Sequence, residues 1–143
     1  MLNLEKNFLK KRILIYGLGK SGLSTYSFLK KSNVISLFDD RIIAKKKIKD
    51  NHNAYKEIIK KEFNCIIISP VININKCKLS RFLKKNHKKI YTELDIFYSR
   101  YAFNQKITIT GTNGKSTTAK LLHDILKDQK KDVRLVGNIG NPI

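Results

Sequence analysis

Gly111-Thr-Asn-Gly-Lys-Ser-Thr117 sets two glycines, a lysine and several hydroxyls within seven positions. That set suits the binding of a nucleoside triphosphate. Glycine lets the backbone curl until its N–H groups converge on one point, and a following helix adds partial positive charge there. Lys115 would supply a mobile point charge for the outer phosphates, and the Ser116 hydroxyl a ligand for Mg²⁺. Gly111, Thr112, Asn113, Gly114, Lys115, Ser116 and Thr117 are therefore the candidate ATP-binding residues, with Lys115 as the candidate catalytic group. An ordinary glycine turn would need none of the flanking context. Here an alternating apolar run, Ile107–Thr110, precedes the loop and a helical pattern over 116–130 follows it.

A second loop, Gly17-Leu-Gly-Lys-Ser-Gly22, carries the spacing G-x-G-x-x-G between an apolar run and a helical pattern. A diphosphate at a helix N-terminus is the chemistry this suits, with a carboxylate after the next strand reaching a polar group of the nucleoside. Asp39 and Asp40 stand at that place. Taken alone the motif is weak: an NAD site is the default reading, and glycines that serve only close helix–strand packing are the lesser alternative.

These loops need strands to aim them. Runs at 12–16, 33–38, 65–69, 89–91, 107–110 and 132–136 read as strands, and 21–31, 54–62, 78–85, 93–101 and 116–130 as helices. Strands alternating with helices predict an α/β fold with a parallel sheet. The β-branched run Cys65-Ile-Ile-Ile68 fits a strand covered on both faces. With two phosphate-type loops, each opening its own layer, the division falls near Asn104. Residues 1–104 would form a Rossmann-like domain, and 105–143 the incomplete start of a P-loop-type domain, the front of a longer protein. An unfinished second domain of about this size rarely stands alone.

A content of 41% hydrophobic residues is globular, and no run approaches the roughly 18 apolar residues of a membrane helix. The polar start, Met1 to Lys11, lacks the apolar core of a signal peptide. Cys65 and Cys77 fit reduced thiols better than a disulfide or a zinc site, which together predicts the cytoplasm. The formal charge of +19 invites a nucleic-acid reading. However, the basic clusters are scattered along the chain and Lys greatly outnumbers Arg, so no specific nucleic-acid site is expected. His52, His87 and His123 lie in polar or helical surroundings and read as surface residues.

The ATP loop departs from the general Walker A pattern, since Ile109 stands where that pattern has its first Gly. The form Thr110-Gly-Thr-Asn-Gly-Lys-Ser-Thr117 instead resembles the loop of the Mur ligases, and lacks the extra Gly after Lys usual in folylpolyglutamate synthases. Asn113 and Ser116 resemble the D-glutamate-adding branch of that family. Ile15-Tyr-Gly-Leu-Gly-Lys-Ser-Gly-Leu-Ser24 resembles its uridine-diphosphate loop, and Phe38-Asp-Asp-Arg41 its Asp-Thr-Arg stretch against the uracil, with Asp40 replacing Thr. Ile68-Ser-Pro-Val-Ile72 departs from a Ser-Pro-Gly-Ile turn at Val71. Tyr91–Phe97 resembles the helix leading to the central domain, and Val136-Gly-Asn-Ile-Gly-Asn-Pro142 a Gly-Asn-Ile-Gly turn on the substrate side.

The resemblance covers essentially the whole chain. It implies a cytoplasmic, monomeric ligase of cell-wall precursor synthesis that uses ATP and Mg²⁺. It would join D-glutamate to UDP-N-acetylmuramoyl-L-alanine through an acyl phosphate. It also implies UDP-substrate contacts at Gly17, Gly19, Lys20, Ser21, Gly22, Asp39, Asp40, Arg41 and Asn138, and Mg²⁺ at Ser116. The family's later Glu, His and Lys segments lie beyond Ile143, so the chain alone is not expected to be a competent ligase. A non-catalytic nucleotide-binding remnant is the alternative.

Overall fold

The computed structural model describes residues 8–41 and 53–137. By backbone proximity the chain divides into two compact units, Met1–Ala102 and Phe103–Ile143.

The first unit is a four-stranded parallel sheet with helices on both faces. β1 (Arg12–Tyr16) lies at its centre, followed in the chain by α1 (Lys20–Leu29), β2 (Val34–Phe38), α2 (Tyr55–Ile58), β3 (Cys65–Ile68), α3 (Ser80–Lys85), β4 (Ile90–Tyr91) and α4 (Glu93–Arg100). The spatial order is β2-β1-β3-β4. The register sets Ile13 beside Ile35 and Cys65, and Tyr16 beside Phe38 and Ile68. β1, β2 and β3 therefore end level and β4 one position earlier, where Tyr91 pairs with Ile67, so the chain leaves all four strands at one edge of the sheet.

Alternation of side chains along a strand sorts the core into two layers. Ile13, Ile15, Leu37, Cys65 and Ile67 face one side with Leu18, Leu29 and Ile96, packed under α1 and α4. Leu14, Tyr16, Phe38, Ile66 and Ile68 face the other with Ile58, Leu79 and Leu83, packed under α2 and α3. Each such side chain contributes about 1.5–3 kcal/mol when fully buried. The nearly continuous apolar runs are what a doubly covered parallel sheet requires. A capping box starts α4: the Thr92 amide and hydroxyl donate to the Asp95 carboxylate at 2.6 and 2.8 Å.

The second unit differs from the reading above. Residues 107–110 and 132–136, expected as strands, form none. A strand exists only as one side of a ladder, and neither run pairs with the other or with another described segment. Its regular element is α5 (Lys115–Asp128), which carries no buried residue. Every buried apolar side chain of the described residues belongs to Phe8–Ile96. The second unit therefore has no apolar core of its own among the described residues. The helices are also shorter than expected, most of all α2, which keeps only 55–58 of 54–62.

Candidate functional site

The turn from β1 into α1 is built around two close approaches. Gly17 has φ +96°, in the region where a Cβ is strained, and a Cβ there would lie 2.7 Å from Ser69 Cβ and 2.9 Å from Ile72 Cδ1. A Cβ on Gly22 would overlap the carbonyl oxygen of Gly17, so the first turn of α1 rests directly on the loop. Nothing crowds Gly19, which caps the helix with extended backbone and no side-chain hydrogen bond. The first amides of α1 consequently keep donors with no partner inside the helix, beside exposed Lys20 and half-buried Ser21. Such an end suits an anion.

The end of β2 is tied to this turn. The Leu18 amide donates to Asp39 Oδ2 at 2.6 Å, and the Arg41 amide to Asp39 Oδ1 at 2.8 Å. The Gly17 amide donates to the Phe38 carbonyl at 2.9 Å. Gly17, Gly19, Lys20, Ser21 and Gly22 are thus brought together with Asp39, Asp40 and Arg41 at the C-terminal edge of the sheet, where ligands of open α/β folds bind. Asn138 and His52 lie outside the described residues.

Two partners were missed by reasoning from the motifs. The Tyr16 hydroxyl donates to Asp40 Oδ1 at 2.6 Å, and Lys78 Nζ donates to the Asp40 carbonyl oxygen at 2.8 Å. Asp40, the residue that replaces Thr in the resemblance, is therefore held from two sides. The signal for Tyr16 was its place as the last residue of β1, on the face opposite Ile15. Lys78 left none, being 38 positions from Asp40. Val71, which stands where the resembled turn has Gly, does not adopt a positive φ and is 89% exposed.

Burial pushes the Tyr16 phenol above its ordinary value, and the hydrogen bonds with Asp40 and Cys77 push it further. A raised folded-state value means stability that is complete below the unfolded value, about pH 10, and lost as pH rises through and above it. Spectrophotometric titration at alkaline pH should therefore show one of the six tyrosines ionising only as the chain unfolds. A Tyr16→Phe chain that keeps this late step would refute the assignment.

In the second unit, Gly114 stands at the cap of α5 with φ +73°, the left-handed conformation that opens the loop to the helix. The Thr118 amide donates to the Gly114 carbonyl at 2.9 Å, so the amides of Lys115, Ser116 and Thr117 precede the helix ladder. Lys115 Nζ donates to the carbonyls of Gly111 and of Thr112, the latter at 3.0 Å. Its ammonium is thereby kept over the loop. All residues from Gly111 to Thr118 are exposed. No group of three or more His, Cys, Asp or Glu side chains that could hold a metal occurs among the described residues. His87 Nδ1 lies 3.2 Å from the Lys84 carbonyl and His123 Nδ1 3.0 Å from Asp124, in local surface pairs.

No protein-family model matches the chain. Curated proteins do. One from Caldicellulosiruptor bescii is 34% identical, across 92% of this chain and 31% of its own length. One from Wolbachia pipientis wMel is 35% identical, across 99% and 29%. One from the Wolbachia of Brugia malayi is 36% identical, across 92% and 28%. All three are named UDP-N-acetylmuramoylalanine--D-glutamate ligase. The chain spans about 30% of the length of these relatives.

Proposed function

We propose that the chain belongs to the UDP-N-acetylmuramoylalanine--D-glutamate ligase family, on its 34–36% identity to the relatives above, and that it carries the UDP-substrate site and the ATP loop of such a ligase, acting in peptidoglycan precursor synthesis in the cytoplasm. The observation that supports this most is the bond from the Leu18 amide to Asp39, which joins the glycine turn to the end of β2 beside the uncapped start of α1. The UDP diphosphate would lie against Gly17, Gly19, Lys20, Ser21 and Gly22. The uracil would lie by Asp39, Asp40 and Arg41, and Asn138 would face the rest of the substrate. Among the described residues no helix is long and apolar enough to cross a membrane.

In the reaction proposed, a substrate carboxylate oxygen attacks the γ-phosphorus of ATP, and the bond to ADP breaks. The amine of D-glutamate then attacks the acyl carbon, and phosphate leaves. Charge on the transferring phosphoryl group is the dominant obstacle, so donors placed around it matter most. Lys115 and the first amides of α5 would bind and orient the outer phosphates. Ser116 is the donor this chain offers to Mg²⁺, which would neutralise phosphate charge when bound. A hydroxyl on an open loop fits a metal that takes most of its remaining ligands from phosphates and water.

Calorimetry of the chain with UDP-N-acetylmuramoyl-L-alanine should give saturable one-to-one binding that free UDP competes away. Tight binding of NADH at the same turn, displaced by neither, would replace the reading with a dinucleotide site.

A further inference from the structure

At the N-terminal edge of the sheet, roughly 16 Å along β1 from the glycine turn, the segments that enter the strands border an open cavity of about 740 Å³. That volume is within the range of small-molecule sites. Lys10, Lys11, Arg12 and Lys89 line it against the single carboxylate of Glu62. The described salt bridges all lie elsewhere, at Lys120–Asp124, His123–Asp124 and Arg134–Asp132. Among the described residues, then, none of the four cations is paired with a carboxylate.

The backbone that presents them is fixed. The Lys11 amide donates to Asn33 Oδ1 and the Arg12 amide to Asn64 Oδ1, both at 2.9 Å. The Asn64 amide returns a bond to the Arg12 carbonyl at 2.9 Å, and the Lys10 amide donates to the Ser32 carbonyl at 3.0 Å. Lys10 is held at φ +53°, a conformation uncommon for a residue with a side chain. Like charges gathered on a rigid frame repel one another, and an anion of several charges relieves that repulsion.

We propose that this cavity binds a compact polyphosphorylated small molecule, at a site separate from both glycine loops. Arg12 offers a planar fork to one phosphoryl group, and the three lysines offer point charges to its neighbours. A nucleic acid fits less well. Its single strands call for exposed aromatic faces, and the one aromatic lining the cavity, Phe63, is buried edge-on against Phe82. The inference stands independently of the UDP-substrate reading, which concerns the opposite edge of the sheet.

The test is calorimetry with inorganic tripolyphosphate at about 0.15 M salt, on the whole chain carrying Lys20→Gln and Lys115→Gln to suppress capture by the loops. One saturable site is expected. Adding Arg12→Gln and Lys89→Gln should weaken it at least tenfold. Adding Lys56→Gln and Lys76→Gln instead, which removes equal charge at the far edge, should change it less than twofold. The charge-preserving pair Arg12→Lys and Lys89→Arg should keep binding within about threefold, which separates lost contacts from lost folding. No saturable binding, or equal weakening by both neutralised pairs, overturns the proposal. So does tighter binding of an oligothymidylate with the same dependence on Arg12 and Lys89, which would assign the surface to nucleic acid. UDP-substrate binding, measured in the Arg12→Gln/Lys89→Gln chain with both loops intact, should equal that of the unaltered chain.

Discussion

Gly22→Ala should cost the chain about 3 kcal/mol or more, at the upper end of single-substitution effects. The added methyl would collide with the Gly17 carbonyl oxygen and approach the Gly17 carbonyl carbon to 3.0 Å. Both are backbone atoms, so no side chain can swing aside. Relief requires α1 to lift from the turn, which would pull Leu29 from its layer and loosen the bond from the Leu18 amide to Asp39. Urea denaturation followed by far-UV circular dichroism should show a lower midpoint, with weaker UDP binding under conditions where the variant remains folded. Gly19→Ala is the internal control. Its Cβ meets nothing within 4 Å and its φ of −69° suits any residue, so its cost should stay near the few tenths to 1 kcal/mol of an altered cap. An unchanged midpoint for Gly22→Ala would mean that the turn is not packed as described.

That contrast also marks what the amino-acid pattern made legible. Strand runs such as Ile13–Tyr16 and Cys65–Ile68 announced themselves because a doubly covered parallel strand must be apolar at every position. The G-x-G-x-x-G spacing pointed to the turn through local geometry, and the end of the next strand pointed to the carboxylate because a β-α-β unit returns that end beside the turn. The spacing could not separate Gly19 from Gly22, because the atoms that exclude a Cβ belong to a carbonyl brought near only by folding. The two partners of Asp40, Tyr16 and Lys78, stayed hidden for the same reason: Lys78 reaches Asp40 across the sheet edge through pairing of β1 with β3. The runs at 107–110 and 132–136 failed in the other direction. Alternation reports a capacity for pairing, and pairing needs a neighbour that their unit does not supply among the described residues.

Lys115→Ala should weaken ATP binding by roughly 10- to 100-fold, the worth of one charge-assisted contact to phosphate, about 1.5–3 kcal/mol. The side chain is exposed and packs against nothing that the fold needs, so the thermal midpoint should move by no more than about a degree. Its bonds to the Gly111 and Thr112 carbonyls are local, and water can replace it on both. UDP-N-acetylmuramoyl-L-alanine should bind as before, because its proposed site uses Lys20 and the amides of α1. Calorimetry with each ligand separates the two. In a complete ligase carrying this loop, the same substitution should abolish acyl-phosphate formation while the UDP substrate still binds. Lys115→Arg is the sharper probe, since it keeps the charge but exchanges a compact ammonium for a bulky fork. If Arg restores ATP affinity fully, the loop needs only charge. If it fails, the loop needs the small head group that Lys115 can fold back over its carbonyls. Equal ATP affinity in all three chains would remove Lys115, and with it the ATP-loop reading, from the proposed function.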